Sequence, residues 1–128
     1  MTNMKKKKIL IVEDESSLGN ALKEFLLAEG FDVLSAGDGE VAIKLAKSEQ
    51  PDLISLDIIL PKKDGFEVLN ELKADKKTDK IPIILLTNLE RTEDIGRAFD
   101  LGVNTYLVKS NYNLKEIAEK IKETLKLQ

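Results

Sequence analysis

The sequence predicts an open α/β sheet in which strands and helices alternate along the chain. Three observations predict it. Short apolar runs recur along the chain, a stretch with helical periodicity follows each run, and glycines or capping side chains mark the boundaries between the strand-like and helix-like stretches. Strands that alternate with helices form parallel sheets with right-handed crossovers and helices on both faces. Because 128 residues are too few for the eight units of a closed barrel, we predict a doubly wound sheet of five parallel strands.

The first unit begins with a continuous apolar run at residues 9–12. Such a run, rich in β-branched residues, is typical of a strand that is buried on both faces. The acidic and hydroxyl residues at 13–16 can cap a helix, and apolar residues at helical spacing predict that helix over 17–29. Gly30 then stands where a C-terminal cap is expected.

The second and third units repeat this order. Asp38 and Asp64 each precede an amphipathic stretch, where a carboxylate can accept hydrogen bonds from the free backbone N–H groups of a first helical turn. We therefore predict both residues as helix caps. The predicted strands and helices of these units are, in chain order, residues 31–36, 39–48, 52–57 and 65–74.

The last two units follow a polar connection at residues 75–80. The final helix has the clearer start, because Asn113 and Glu116 have the spacing of a capping box and the apolar residues behind them form one stripe. The helix before it has a weaker pattern. The predicted strands and helices of these units are residues 81–86, 92–101, 105–108 and 114–126.

Composition limits the chemistry that the chain can perform. It has no cysteine and no histidine, which excludes a disulfide framework, a thiolate metal site and the usual general base. The net charge of −3 supplies no general attraction to nucleic acid or to an anionic membrane, so we predict neither as a partner. The length is typical of one domain, and no run reaches the length of a membrane span or a signal-peptide core, so we expect a cytoplasmic protein.

Polar side chains gather where the predicted strands end. Glu13 and Asp14 follow the first strand, and further polar residues follow the third, fourth and fifth strands: Asp57, Thr87 and Lys109. Asp57 interrupts an apolar run, although an ionised carboxylate is expensive to bury without a partner. Ligands bind open parallel sheets at the carboxyl ends of the strands, near the point where strand order reverses. We therefore predict that these five side chains converge on one edge of the sheet.

Four segments carry a family resemblance: ILIVEDE, DLISLDIILPKKDGFEVL, IPIILLTN and NTYLVKS. In this order and at these spacings they resemble the receiver domain of two-component response regulators, over about residues 7–125. Pro61 and Gly65 also match that family, and Tyr106 matches its aromatic switch position. The resemblance implies a flavodoxin-like (βα)5 fold with strand order 2-1-3-4-5 and a single receiver domain over residues 1–128.

The resemblance also implies a phosphorylation site. Carboxylates at one edge repel one another, and Mg²⁺, which takes few protein ligands and keeps several waters, relieves that repulsion. Asp57 would accept a phosphoryl group in a Mg²⁺-dependent reaction. Asp14 and Asp57 would bind the ion directly, Glu13 would act through a water, and the backbone carbonyl of Ile59 would complete the protein ligands. Lys109 would neutralise a phosphoryl oxygen.

A donor and an output follow from the same resemblance. The donor would be a phosphohistidine on a sensor histidine kinase or on a histidine phosphotransfer protein. A shift of the Thr87 hydroxyl and an inward rotamer of Tyr106 would reshape the face of the fourth helix, fifth strand and fifth helix. That face would bind a downstream protein or a second copy. The chain would be a phosphoacceptor rather than an enzyme, catalysing only its own phosphorylation and dephosphorylation, and we expect a stand-alone regulator or an excised receiver.

Some positions depart from the family pattern or modify its chemistry. Ser110 follows Lys109 where the family normally has a proline after a cis bond, and because a cis bond before serine costs about 2.5 to 4 kcal/mol, we predict a trans bond. Asn88 is larger than the residue usual after the switch threonine and would narrow access to the acceptor. Ile59 and Leu89 flank the route of a hydrolytic water, which predicts slow dephosphorylation.

Other functions differ in how well the residues fit them. A haloacid-dehalogenase-type phosphatase needs a second aspartate two residues after the nucleophile, where this chain has Ile59. An FMN carrier needs a phosphate loop rich in serine, threonine or glycine after the first strand, where the carboxylates at 13–15 would repel a phosphate. A degenerate receiver that binds partners without phosphorylation fits the residues and stays open as the alternative.

Overall fold

The computed structural model describes residues 6–14 and 16–126, which form one five-stranded sheet with helices on both faces. The strands are β1 (Lys8–Val12), β2 (Asp32–Ala36), β3 (Leu53–Leu56), β4 (Ile83–Thr87) and β5 (Thr105–Val108). The helices are α1 (Ser16–Ala28), α2 (Gly39–Glu49), α3 (Gly65–Ala74), α4 (Thr92–Asp100) and α5 (Leu114–Lys126). Within the described ranges, none of these helices has the length and apolar character needed to cross a bilayer.

The strand order is β2-β1-β3-β4-β5 with every neighbouring pair parallel, which confirms the predicted doubly wound topology. Val12 pairs with Leu56 of β3, and the Asp57 N–H donates to the Val12 carbonyl oxygen at 3.0 Å. On the other side of β1, the Glu13 N–H donates to the Ala36 carbonyl oxygen at 3.0 Å. The chain segments after β1 and β3 therefore leave the sheet side by side, at the point where strand order reverses.

Two apolar cores lie on opposite faces of the sheet. Along β1, Leu10 and Val12 pack with α2 and α3, whereas Ile9 and Ile11 pack with α1 and α5. Each of these four side chains is at most 3% exposed, and burial of a large aliphatic side chain contributes about 1.5 to 3 kcal/mol. The sheet is therefore fixed from both faces, as the continuous apolar run predicts.

Three helices begin with the caps that the sequence predicts. The Asp38 carboxylate accepts a hydrogen bond from a backbone N–H of α2 at 2.9 Å. Asp64 and Glu67 form a complete capping box at the start of α3. At the start of α5, Asn113 accepts from the Glu116 N–H at 2.8 Å, and the Glu116 carboxylate accepts from the Asn113 N–H at 2.9 Å. These caps satisfy backbone N–H groups that have no partner within the helix.

Element boundaries agree with the sequence predictions within two residues. The largest difference is in β4, which begins at Ile83 and not at residue 81, because Pro82 has no N–H to donate to the ladder. β3 ends at Leu56, so Asp57 lies one residue beyond the strand and not within it. This difference places the Asp57 side chain in the loop that leaves the carboxyl edge of the sheet.

The connection between β5 and α5 contains a short turn that the sequence does not predict. Residues Lys109–Asn111 form a single 3-10 turn, and the Tyr112 N–H donates to the Lys109 carbonyl oxygen at 3.3 Å. The peptide bond before Ser110 is trans, as the absence of a proline predicts. Lys109 is therefore the first residue after the strand and begins this turn.

Candidate functional site

An open cavity of about 160 Å³ lies at the carboxyl edge of the sheet, beside the reversal point. Loops after four of the strands line it with Asp14, Asp57, Ile59, Asn88 and Lys109. Asp14 is exposed, whereas Asp57 is only 6% exposed. The structure therefore brings two of the carboxylates and the lysine identified in the sequence to one concave surface.

Both carboxylate oxygens of Asp57 have hydrogen-bond partners. Oδ2 accepts from Lys109 Nζ at 2.6 Å, and Oδ1 accepts from the Ile59 N–H at 3.1 Å. Charge-assisted bonds of this kind are the condition under which a buried carboxylate is tolerated. Lys109 and the backbone of the β3–α3 loop thus explain why an apolar strand leads directly into an acidic residue.

The loop that presents Asp57 is fixed by the close approach of Gly65. The Gly65 N–H donates to the Ile58 carbonyl oxygen at 2.7 Å. A Cβ atom at position 65 would lie 2.4 Å from Ile58 Cα and 2.5 Å from the Asp57 carbonyl oxygen, so a larger residue has no room there. The first turn of α3 therefore lies directly against the backbone that carries the Asp57 side chain.

Lys109 bridges two carboxylates. Besides Asp57, its Nζ donates to Glu13 Oε1 at 2.7 Å and also contacts Glu13 Oε2. The side chains of Lys109 and Glu13 are 10% and 7% exposed. Burial by itself lowers the pKa of Lys109, but the hydrogen bonds to Asp57 and Glu13 outweigh it and hold that pKa above its ordinary value. Lys109 is therefore a fixed positive charge beside the Asp57 carboxylate.

Glu13 and Asp14 are adjacent in sequence but have different surroundings. Asp14 lines the cavity, whereas the Glu13 carboxylate turns towards Lys109. Burial raises the pKa of Glu13 to about 7, although the hydrogen bond from Lys109 lowers it, and the negative charge of Asp57 adds to the rise. The sequence predicts Glu13 as a water-mediated metal ligand, and the structure gives it a lysine partner.

The oxygen atoms around the cavity suit a hard cation. Asp14, Asp57 and Ile59 line the same space, and Mg²⁺ prefers oxygen ligands while keeping waters in the remaining positions. Within residues 6–14 and 16–126, no group of three or more acidic side chains is arranged to hold an ion by itself. The donor set therefore fits Mg²⁺ with few protein ligands and does not form an enclosed cage.

Thr87 and Tyr106 are joined through the backbone of Leu89. Thr87 is fully buried, and its Oγ1 accepts from the Leu89 N–H at 3.4 Å. The Tyr106 hydroxyl donates to the Leu89 carbonyl oxygen at 2.7 Å. The first contact lies at the long limit of a hydrogen bond, whereas the second has ordinary length. One peptide segment of the β4–α4 loop is thus held between the two side chains that the resemblance implies as a switch.

The start of α4 carries a buried carboxylate beside this pair. Asp94 is 7% exposed, and its Oδ2 accepts from Arg91 Nε at 3.0 Å. Burial raises the pKa of Tyr106, and the negative charges of Asp94 and Asp57 raise it further. Tyr106 therefore keeps its proton near neutral pH and stays a hydrogen-bond donor to Leu89.

The sequence identifies the residues around the cavity but misses three contacts. Glu13 and Lys109 are separated by 96 positions, and only their opposite charges at strand ends suggest a pair. Leu89 acts through its peptide groups, which its side-chain identity does not reveal. Asp94 has the sequence pattern of an ordinary acidic residue in a first helical turn.

Similarity to known proteins extends over most of the chain. The family model described as response regulator receiver domain matches residues 9–122. The alkaline phosphatase synthesis transcriptional regulatory protein PhoP of Bacillus subtilis is 40% identical over 120 residues, which cover 94% of this chain and 49% of that protein. The chain thus spans about half the length of the curated relatives that it matches.

Solved structures share the path of the chain. The phosphorylated cyanobacterial phytochrome response regulator RcpA is 36% identical with a TM-score of 0.80, covering 93% of this chain and 91% of that one. The receiver domain of a sensor histidine kinase from Pseudomonas aeruginosa PAO1, which has a magnesium ion coordinated in its active site cleft, is 27% identical with a TM-score of 0.85. That similarity covers 94% of this chain and 98% of the other.

Proposed function

The chain belongs to the response regulator receiver domain family of two-component systems, and we propose that its Asp57 accepts a phosphoryl group from a phosphohistidine donor. The observation that carries this proposal is the buried Asp57 carboxylate, which shares a cavity with Asp14 and is hydrogen-bonded to Lys109. Receiver domains are signalling phosphoacceptors and not classical enzymes. We therefore propose that the chain catalyses only its own phosphorylation and dephosphorylation.

Asp57 would be the nucleophile of the transfer. One of its carboxylate oxygens attacks phosphorus, an O–P bond forms, and the P–N bond to the donor histidine breaks as the imidazole leaves with the electron pair. The attack needs an ionised carboxylate, and Lys109 Nζ donates a charge-assisted hydrogen bond to the Oδ2 atom of Asp57. Because an ionised carboxylate has no proton to lose, a chain without histidine can serve as the acceptor.

Mg²⁺ is the proposed cofactor. Asp14, Asp57 and the backbone carbonyl of Ile59, three residues that line the cavity, would hold it. Glu13, which does not line the cavity, would act through a water. The bound ion would offset the negative charge that the carboxylates and the phosphoryl group bring together. Asn88 lines the same cavity, so we propose that its side chain sets how easily a donor reaches Asp57.

On phosphorylation, Lys109 would remain in place, and its ammonium group would exchange the Asp57 carboxylate oxygen for a phosphoryl oxygen as hydrogen-bond partner. Its ammonium group lies 2.6 Å from the Asp57 oxygen Oδ2, which is close enough to meet a phosphoryl oxygen carried by the same side chain. Glu13 would keep its hydrogen bond to Lys109 throughout. In this proposal, Lys109 supplies charge compensation and Glu13 holds Lys109 at the position where that charge is needed.

The output would pass through the β4–α4 loop. A Thr87 hydroxyl drawn towards the phosphoryl group would release the Leu89 N–H, and the Tyr106 hydroxyl would transmit the displacement of the Leu89 carbonyl. The face formed by α4, β5 and α5 would then bind a downstream protein or a second copy of the chain. The side chain of Phe99 on α4, which is 49% exposed, offers an apolar contact for such a partner.

The experiment is incubation with Mg²⁺ and acetyl phosphate, followed by measurement of the intact mass. We expect a gain of one phosphoryl group that requires both Mg²⁺ and Asp57, so that Asp57→Asn shows no gain. Asp64→Asn is the matched control, because it removes another carboxylate of the same loop while asparagine still caps the helix, and it should keep the gain. An unmodified chain that gains no mass from acetyl phosphate or from a kinase donor would instead support the phosphorylation-independent binding module.

Loss of the phosphoryl group is proposed to be slow. Ile59 is 56% exposed at the cavity, where its apolar side chain offers no hydrogen bond to an incoming water. We expect Ile59→Asn to shorten the half-life of the phosphorylated protein, measured by the decay of the added mass. Equal half-lives would show that Ile59 does not limit the approach of water.

A further inference from the structure

Gly19 of α1 lies against the side chain of Glu13. A Cβ atom at position 19 would be 3.3 Å from Glu13 Cγ and 3.5 Å from Glu13 Cβ. The first of these distances is tighter than ordinary van der Waals contact, so any residue larger than glycine would press on the middle of the Glu13 side chain. The missing side chain at position 19 therefore provides the space in which Glu13 lies.

The Glu13 side chain has little freedom to move away from such pressure. Its carboxylate is hydrogen-bonded to Lys109, and the side chain is 7% exposed. Lys109 in turn has Asp57 as its second partner. A displacement of Glu13 by a few tenths of an ångström would therefore act on the ammonium group that contacts the acceptor.

Glycine within a helix also needs an explanation, because it lowers helix stability relative to alanine. α1 contains Gly19 and α4 contains Gly96, and both lie inside their helices. A Cβ atom at position 96 would meet no heavy atom within 4 Å. The two glycines thus share the same backbone disadvantage, but only Gly19 has a side chain of the site packed against it.

We propose that Gly19 is a positioning residue for the phosphorylation site: by leaving room for Glu13, it keeps the Glu13 carboxylate on Lys109. The consequence for phosphoryl transfer rests on the proposed function of Asp57, whereas the contact itself does not. Outside α1, the described atoms within 4 Å of a Cβ at position 19 belong to Glu13, so Gly19 acts on Asp57 through Glu13 and Lys109.

The test compares Gly19→Ala with Gly96→Ala, because both changes add one methyl group to a helix interior. The deciding readout is the NMR signal of the Lys109 ammonium group, assigned by its loss in Lys109→Gln. We expect this signal to shift or broaden in Gly19→Ala and to stay in place in Gly96→Ala. A Lys109 signal that Gly19→Ala leaves unchanged would overturn the proposal.

A second comparison separates pressure on Glu13 from a general effect on α1. In the unmodified chain, Gly19→Ala should raise the thermal midpoint less than Gly96→Ala does. In a Glu13→Ala background the tight contact with Cγ is gone and only the ordinary contact with Cβ remains, so Gly19→Ala should raise the midpoint about as much as Gly96→Ala. If Gly19→Ala raised the thermal midpoint equally in both backgrounds, an alanine at position 19 would not press on the Glu13 side chain, which would contradict the proposal.

These readouts are independent of phosphorylation. If the unmodified chain fails to gain a phosphoryl group while the Lys109 signal shifts in Gly19→Ala, the proposed function fails and the positioning contact stands. If the chain is phosphorylated on Asp57 and the Lys109 signal does not respond to Gly19→Ala, the function stands and the inference about Gly19 fails.

Discussion

α3 and α4 are consecutive helices of similar length, but they differ in how they are capped and in how many of their residues are buried. α3 begins with the Asp64 capping box and buries half of its ten residues. The cap position before α4 is Arg91, whose side chain makes no capping hydrogen bond, and among the nine residues of α4 only Asp94 and Ala98 are buried. Because buried apolar side chains and caps supply most of a helix's stability in a protein, α3 is the more firmly held of the two.

One glycine in each helix shows the same contrast. Gly65 in α3 is pressed against the backbone of Asp57 and Ile58, and a Cβ atom there would overlap with that backbone. Gly96 in α4 faces open space. In α3, glycine allows close packing beside Asp57, whereas in α4 it weakens a helix without any packing gain.

The difference indicates how one small domain can combine a fixed site with a movable surface. Asp57, the proposed acceptor, is presented by a loop against which α3 packs closely, so we expect its geometry to be kept. α4 has few buried apolar contacts, which is a mark of low local stability. We therefore propose that a modest change at Leu89 moves α4 while the sheet and α3 stay in place.

The largest expected effect comes from Gly65→Ala. The added methyl group would overlap with the Asp57–Ile58 backbone, and overpacking of this kind costs about 2 to 3 kcal/mol of unfolding free energy. Urea denaturation measures the loss. A variant as stable as the unmodified chain would show that α3 is not held against this loop.

Asp64→Ala tests the cap of α3. It removes the hydrogen bond that the Asp64 carboxylate accepts from the Glu67 N–H, and we expect a loss of about 1 to 2 kcal/mol in unfolding free energy. Asp64→Asn is the control, because asparagine caps helices equally well, and its denaturation curve should stay close to that of the unmodified chain. If both variants behave alike, the cap does not contribute to the firm attachment of α3.

Tyr106→Phe tests the link between β5 and the β4–α4 loop. It removes the hydrogen bond to the Leu89 carbonyl oxygen, which is expected to contribute about 1 kcal/mol. Hydrogen exchange should become faster in the β4–α4 loop and at the start of α4, with no change in α3. Uniformly faster exchange in both helices would mean that the hydroxyl supports the whole fold and not this loop.

The smallest expected effect is an increase in stability, caused by Gly96→Ala. Gly96→Ala adds a methyl group to open space in α4, and the higher helix propensity of alanine should increase the unfolding free energy by about 0.5 to 1 kcal/mol. Exchange of the α4 amides should become slower. A loss of stability would show that position 96 is packed against the rest of the protein.

The sequence predicts the topology and most of the caps because their signals are local. The apolar run at residues 9–12 predicts a buried strand. Asp38, Asp64 and Asn113 lie at helix starts, where their side chains accept hydrogen bonds from backbone N–H groups three residues on. These signals depend on residues a few positions apart, so the chain order of elements follows from them directly.

The contacts within the site could be predicted less well because they join distant segments. Glu13 and Lys109 meet only after five strands are in place, and the space for Glu13 depends on a glycine in a different element, Gly19. Leu89 contributes peptide groups, which are the same in every residue. The sequence therefore identifies which side chains reach the edge of the sheet but not which partner each one has there.

Hydrogen exchange of the chain with and without acetyl phosphate and Mg²⁺ tests the central claim most directly, with Asp57→Asn as the control. We expect phosphorylation to change the exchange rates of the β4–α4 loop and α4, to leave α3 unchanged, and to have no effect in Asp57→Asn. Equal changes in α3 and α4, or the same change in Asp57→Asn, would contradict the account of a fixed acceptor coupled to one movable helix.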